Sequence, residues 1–486
     1  DILRSTKKID YKIVSRKKEN NFYTVNVKSN TKINAPISIF AIKNDSVIAE
    51  TWTIGKHRDN ATFTLNEKPD YFKINHDLRI PEINNHNNYL RNGGLFKKVE
   101  PIRFQFLGGI DNPNRTTINY FPIMGWNNYD KFMAGLALYN RTIYSRTFEY
   151  VLMPMYAFGT KDLSGLGNVK LNLKPEKTFQ VISLGAKAKR FTAYRENNEL
   201  MSYNKLSPYA EFVLKPTQPR KKIKTSFLLG YDFIQNKFIE EEIGRFFENI
   251  QQYSAAIKIS SRQVLKPKSV ELKYNLGSIE NTNVSTFSDI SLTANYRYNY
   301  TKDLDGISVR MFAGNYFKSA SDSRFRYYVG GQNGISDYTY ESLYFGRTEP
   351  YYNFLSQQMI ETHGAMRTLM PSFFSSNEWL LAFNFDFELP STIKIPFNFY
   401  ADIAFMPVYT FNVNSSTLSK VNEAYFAAGL SLNLFNDVVN IYFPLILSND
   451  IKDIYEFNEI QFLQRIRINI RFNQLNPFKI IEQTIF

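Results

Sequence analysis

With 486 residues, 43% hydrophobic, 16% aromatic and without cysteine, the chain can bury a large core or cover a large lipid-facing surface, and it forms no disulfide or thiolate metal site. A net charge of +14 and a pI near 9.4 permit anionic partners, nucleic acid and acidic lipid headgroups being the two classes such a charge attracts. No apolar run approaches the roughly 18 to 20 residues of a spanning helix, so any membrane crossing is by strands, and a mean hydropathy of −0.34 does not argue against one because barrel strands alternate polar with apolar residues.

Residues 1–83 read as a small β-sandwich. Short alternating runs at Tyr23–Lys28, Ile37–Ile42, Val47–Trp52 and Ala61–Leu65 are separated by Asn, Pro and Gly, the pattern of brief strands joined by turns. The basic run Arg16-Lys17-Lys18 reads as solvated turn chemistry. The chain begins at Asp1 without Met, which leaves room for a targeting segment in a precursor.

The order N-F-Y-T-V-N-V-K-S-N, A-P-I-S-I-F-A, A-E-T-W-T-I-G and F-K-I-N-H-D-L-R-I-P-E-I-N-N-H-N-N over the first 90 residues resembles the sandwich that follows the catalytic domain in aminopeptidase-N-like zinc metallopeptidases (gluzincins) of Bacteroidota. That family's H-E-x-x-H motif places two His one helical turn apart on one zinc ion, with a Glu to polarise water. The four His here, His57, His76, His86 and His363, do not form it. The resemblance therefore implies that zinc and catalysis belong to a domain upstream of Asp1. His76 and His86 flank Asp77 and Glu82, but ten residues of loop between them suit surface polarity better than a metal site. No catalytic, cofactor-binding or metal-binding residue is assigned in this chain.

Residues 84–115 read as a linker. From 116 to 472 about sixteen alternating segments follow, an even number, as single-chain bacterial barrels have. Along Trp379–Leu389, Leu381, Phe383, Phe385 and Phe387 share one face while Asn384, Asp386 and Glu388 share the other, because successive strand side chains point to opposite sides. The next strand sets Phe397, Phe399, Ala401 and Ile403 against Asn398, Tyr400 and Asp402. Connections alternate between short and long, with long ones expected at 191–202, 236–249, 278–287, 318–377, 408–421 and 447–459. The expected fold is all-β: a transmembrane antiparallel barrel at 116–472 preceded by the sandwich, with residues 473–486 as a periplasmic tail. In the last strand Arg465–Phe472, the face Ile466, Ile468, Ile470 and Phe472 is expected to meet lipid.

The longest connection, 318–377, contains His363-Gly-Ala-Met-Arg367. This arrangement resembles the bacterial surface antigen superfamily, which includes the BAM-complex insertase and two-partner secretion pores. In that family the sixth outer loop folds into the lumen and a V-R-G-F/Y tip sets an Arg against acidic residues of neighbouring strands. By this resemblance Arg367 is the tip Arg, and Glu388 and Asp402 are its acidic partners in a lock of the lumen loop. Met366-Arg367-Thr368-Leu369 lacks the Gly and aromatic residue after the Arg, and an ordinary surface Arg beside plain lumen carboxylates fits the same residues.

The primary reading is the outer-membrane barrel and sandwich of a metallopeptidase-like protein, non-catalytic in the residues present and part of a larger outer-membrane complex. The alternative is an insertase or translocation pore of the BAM-like superfamily, and a soluble β-rich binding protein is a third reading. The partners implied are outer-membrane lipid and lipopolysaccharide and other outer-membrane or periplasmic proteins, with no nucleic acid, and the N-terminal domain is periplasmic by resemblance.

Overall fold

The computed structural model describes residues 9–471 apart from 32–34, 110–111, 142–144, 176, 197–198, 218–221, 241–243, 262, 281–283, 302–304, 320–321, 350–352, 391–395, 413–416 and 436–437. Phe472 and the expected tail 473–486 lie outside the described residues. The chain forms two compact units, Asp1–Tyr120 and Phe121–Phe486.

In the first unit a three-stranded sheet (Tyr11–Glu19, Phe22–Ser29, Arg58–Thr64) and a four-stranded sheet (Ser46–Trp52, Ser38–Lys43, Tyr71–Ile74, Tyr89–Arg91) enclose one apolar core. The alternation read from the sequence puts Tyr23, Val25 and Val27 inside from one sheet and Ile39, Ala41 and Phe72 from the other. Arg16-Lys17-Lys18 lie in the first strand and not in a turn, since the ladder Arg16↔Val25 to Glu19↔Phe22 continues through them and their side chains need only face water. Segment 84–115, read as a linker, folds onto this unit: Tyr89–Arg91 pairs with Tyr71–Ile74, and Ile102–Phe106 pairs in parallel with Thr116–Tyr120.

In the second unit, strands pair antiparallel in chain order: Lys131–Tyr139, Phe148–Ala157, Asp162–Leu173, Phe179–Glu196, Glu199–Leu214, Ile223–Glu240, Gly244–Ser261, Lys268–Glu280, Val284–Asn299, Gly306–Lys318, Trp379–Phe387, Phe397–Asn412, Thr417–Leu434, Val439–Leu447 and Arg467–Ile470. Among the described residues the large sheet has eighteen strands, more than the sixteen expected, in part because the two-residue Gln358–Met359, which carries no alternating run to be read, belongs to it. The fold is nearly all β, and no helix is long and apolar enough to cross a membrane.

Burial in this sheet is inverted. Along Lys268–Glu280 the exposed side chains are Val270, Leu272, Tyr274 and Leu276, whereas Asn275 on the other face is only 8% exposed. The pairs Tyr253↔Leu276, Ile257↔Leu272 and Ile259↔Val270 extend the exposed apolar face to the next strand. Ser183, Asn236, Gln252, Asp289, Asn384 and Asp402 are buried on the opposite face. A protein surrounded by water would place these two sets the other way round; a large all-β sheet with an apolar outside and a polar inside matches an outer-membrane barrel.

The structure corrects the reading of the loops. Positions 191–202, 236–249, 278–287 and 408–421 are largely strand, with ladders that run to Glu196↔Glu199, Glu240↔Gly244, Glu280↔Val284 and Asn412↔Thr417. Four strands of eighteen residues each span roughly 60 Å, against an apolar band of about 25 Å in such barrels, so the ladder continues where apolar alternation has ended. Segment 447–459 contains the helix Asn449–Phe457, and Phe462–Arg465 is a helical turn, which leaves a last strand of four residues at Arg467–Ile470 in place of the expected Arg465–Phe472.

Lys73 gives a pH test of the first unit. Its side chain is buried, with Nζ donating to the Pro113 carbonyl at 2.9 Å and to Asn114, and burial pushes its ammonium down from 10.5 to about 8 although Glu100 opposes this. Between those values the unfolded chain holds a proton that folded Lys73 has released, so stability should rise as pH rises from about 8 toward 10. The urea midpoint read from Trp52, kept as the single tryptophan, should show this rise, and Lys73→Met should flatten it.

Candidate functional site

The connection 319–377 does not stand away from the sheet; it packs along its polar inner face. Phe325 stacks on Phe287 with ring centroids 4.3 Å apart, and Tyr340 stacks on Tyr203 at 3.8 Å. Tyr327 donates its hydroxyl to Asp289 at 2.8 Å, Tyr338 to Gln252 at 2.7 Å, and the Lys205 ammonium reaches the Thr339 carbonyl at 2.7 Å. The Arg324 guanidinium meets both oxygens of Glu248 at 2.7 Å, a bidentate pair that fixes orientation as well as distance.

The same insert reaches both ends of the second unit's strand series. At one end, the Tyr129 hydroxyl accepts from the backbone amides of Arg347 and Thr348 at 2.9 Å, and Asn128 donates its amide to the Phe345 carbonyl at 2.8 Å and its side chain to Glu349 at 2.6 Å. At the other, Gln358 and Met359 pair in parallel with Ile468 and Asn469, and Arg467 donates to the Ser356 carbonyl at 3.0 Å. Between these ends Gln358 ties the segment together by accepting from the Phe345 amide and donating to the Leu343 carbonyl.

Arg367 follows a tight turn in which His363 and Ala365 take left-handed backbone angles, φ 52° and 51°. Gly364 donates its amide to the Tyr328 carbonyl, and a Cβ there would lie 2.4 Å from the Val329 carbonyl oxygen, so only glycine lets the two backbones meet. Beyond the turn Arg367 is 2% exposed. Its Nη2 donates to Asp402 Oδ1 at 2.7 Å and to the Phe385 carbonyl at 2.9 Å, its backbone amide donates to Asp402 Oδ2 at 2.8 Å, and Nη1 donates to Asp386. The guanidinium lies over Tyr400, 4.6 Å from its ring centre, and near Tyr442 at 5.2 Å. Tyr400 returns a hydrogen bond from its hydroxyl to the Arg367 carbonyl at 3.0 Å. Every donor direction of this fork that the contacts reveal ends on a carboxylate or carbonyl, as an arginine removed from water requires.

Arg367 and Asp402 are thus brought together, and Glu388 is not part of the group. Its carboxylate takes the Arg297 guanidinium, with Nη1 2.7 Å from Oε1 and Nη2 on Oε2. Strand register explains the placement. Asp402 lies opposite Asn384, which donates to it at 3.0 Å, and Asp386 is the next inward residue, whereas Glu388 is one further inward step away, roughly 7 Å per two residues. Asp386, Asn384, Tyr400 and Tyr442 belong to the group and were missed; their signal was the shared polar face with Glu388 and the inward tyrosines of adjoining strands.

Among the described residues no group of three His, Asp or Glu could hold a metal ion. His86 pairs with Glu100 at 3.1 Å, and Glu82 accepts from the Tyr11 amide at 2.9 Å and from Asn88, so the carboxylate near His76 and His86 serves the fold of the first unit. His86 and Thr116 hold the Glu100 carboxyl below its ordinary range against the opposing effect of burial.

Asp402→Asn should cost roughly 3–5 kcal/mol by leaving a buried guanidinium without its main charge partner. Trypsin should then cut the insert at temperatures where the parent chain is protected. Glu388→Gln breaks a contact between strands and should leave that protection unchanged.

No family model matches the chain, and no curated protein does. Solved structures to which it is similar include CdiB from Acinetobacter baumannii (10% identity, 68% of this chain and 57% of that one, TM-score 0.35) and BamA from Haemophilus ducreyi lacking POTRA domains 1–3 (9%, 68% and 67%, 0.37). The copper transporter OprC is a third (10%, 66% and 52%, 0.36). The chain thus spans between about half and two thirds of the length of these structures.

Proposed function

We propose that this chain is an outer-membrane β-barrel that inserts or translocates polypeptide, with the insert 319–377 as the internal element that must shift for it to act. The observation that carries this reading is that one connection is tied both to the turn at Asn128 and Tyr129 and to the last strand at Ile468 and Asn469. Closure of the sheet around this insert removes the free edges that so many strands would otherwise present, and the apolar outer face is then covered by outer-membrane lipid and lipopolysaccharide. Arg367, Asp402 and Asp386 form the lock that holds the insert, and Arg324 with Glu248 forms a second. The first unit extends into the periplasm, where other outer-membrane or periplasmic proteins meet it.

A second reading is favoured by the density of the same contacts. An insert held on every side also suits a passive barrel that anchors a zinc peptidase domain carried elsewhere in a longer protein.

A removable tether separates the two. The chain has no cysteine, and Met359 and Asn469 are register partners, so Met359→Cys with Asn469→Cys introduces a single candidate disulfide. In proteoliposomes offered an unfolded barrel protein, the parent chain should promote insertion, the oxidised variant should lose most of that activity, and reductant should restore it. Absence of insertion by the parent would favour the anchor.

A further inference from the structure

Below the Arg367 lock, toward the short connections of the sheet, lies a cavity of about 370 Å³. The arginines along its lining are Arg297, Arg310, Arg367 and Arg471, against only two carboxylates, Glu361 and Asp386. The bare count overstates the surplus of positive charge, because Arg297 and Arg367 also hold carboxylates outside the lining, Glu388 and Asp402. Glu361 takes Arg471 at 2.9 Å and the Tyr442 hydroxyl, and Asp386 takes Arg367. Arg297 has Glu388.

One cation is left over. Arg310 is half-buried and uses Nη1 alone, donating to the His363 carbonyl at 2.9 Å and to Asn384 Oδ1 at 2.8 Å. Among the described residues its Nε and Nη2 donate to nothing, and Arg310 forms no ion pair with a carboxylate. A guanidinium whose Nη1 is fixed by two neutral acceptors is held in one orientation, with the remaining edge ready for a planar or tetrahedral oxyanion. The lining also carries hydroxyl donors, Ser260, Ser261, Ser269 and Ser308, of the kind that complete the coordination of a bound anion.

We propose that this cavity is an oxyanion-binding site, in which Arg310 holds a carboxylate or phosphate group entering the inner space of the sheet. Arg310 supplies the paired donors. The volume admits a small anion or a single acidic residue of a peptide, and rejects neither. The inference does not depend on whether the chain moves polypeptide, since it concerns binding and not transport.

Calorimetry on the intact chain in non-ionic detergent tests it, with inorganic phosphate, acetate, and a short peptide offered with a free or an amidated C-terminal carboxylate as probes. Saturable binding of at least one oxyanion is expected. Arg310→Gln should weaken it by roughly tenfold to a hundredfold, the range for losing charge-assisted hydrogen bonds, and Arg310→Lys by several-fold. Arg310 also holds the turn at His363, so Arg310→Lys, which keeps a cationic donor for the His363 carbonyl and loses the free guanidinium edge, is the variant that tests the site apart from the fold. Preference for the free over the amidated peptide assigns the site to polypeptide carboxylates; binding of phosphate without that preference assigns it to a free anion. Absence of saturable binding by every probe, or binding unchanged in both variants, would overturn the proposal.

Discussion

The constraint on which the rest of the structure depends is the inverted burial of the large sheet. Once Leu272, Tyr274, Ile257 and their neighbours face outward, the inner face is left with Asn, Gln, Ser, Asp and Lys side chains that have no bulk water shell of their own. Burying such groups without partners costs on the order of 1–3 kcal/mol each. The insert 319–377 answers this need, because it supplies donors, acceptors and aromatic rings where the strands present polar groups: Tyr327 for Asp289, Tyr338 for Gln252, Arg324 for Glu248. The sheet and its insert are therefore one polar core, stabilised mainly by satisfied hydrogen bonds and ion pairs, inside an apolar shell.

Such a core has a different mechanical character from a hydrophobic one. Apolar packing tolerates sliding, whereas the fork of Arg367 on Asp402, Asp386 and the Phe385 carbonyl fixes a single position. Apolar clusters do occur beside it, around Phe312, Met366, Leu369 and Phe374 in one place and Phe287, Phe325 and Tyr340 in another. The Arg367 guanidinium and the Asp402 carboxylate are the most deeply buried of the charged anchors, and there the charge interaction is strengthened. Release of the insert would require several such groups to exchange partners together, which makes two discrete states more natural than a gradual opening.

Much of the strand pattern was legible because apolar alternation with period two survives in nearly every strand of the second unit, as in Val270 to Leu276. What was not legible follows from where that signal stops. The long hairpins continue past the apolar band with polar residues such as Gln235, Asn236 and Lys237, whose ladder bonds leave no trace in hydropathy. Arg367 and Asp402 were picked out by resemblance to a loop tip that sets an Arg against strand carboxylates; periodicity marks only that Asp402 lies on a polar strand face. The choice of Asp386 over Glu388 depends on register between Trp379–Phe387 and Phe397–Asn412, which sequence alone does not give. Likewise Arg324 and Arg310 looked like any loop or strand arginine until their partners, Glu248 and Asn384, were placed beside them.

The most direct measurement of the inverted burial is the environment of spin labels at single cysteines from position 270 to 276 of the otherwise cysteine-free chain in lipid vesicles, using oxygen and a polar nickel complex as collision reagents. Labels at 270, 272, 274 and 276 should favour oxygen, those at 271, 273 and 275 should be shielded from oxygen or meet the polar reagent, and the two sets should alternate along the strand. Uniform contact with the polar reagent at both sets would contradict a lipid-facing outer surface.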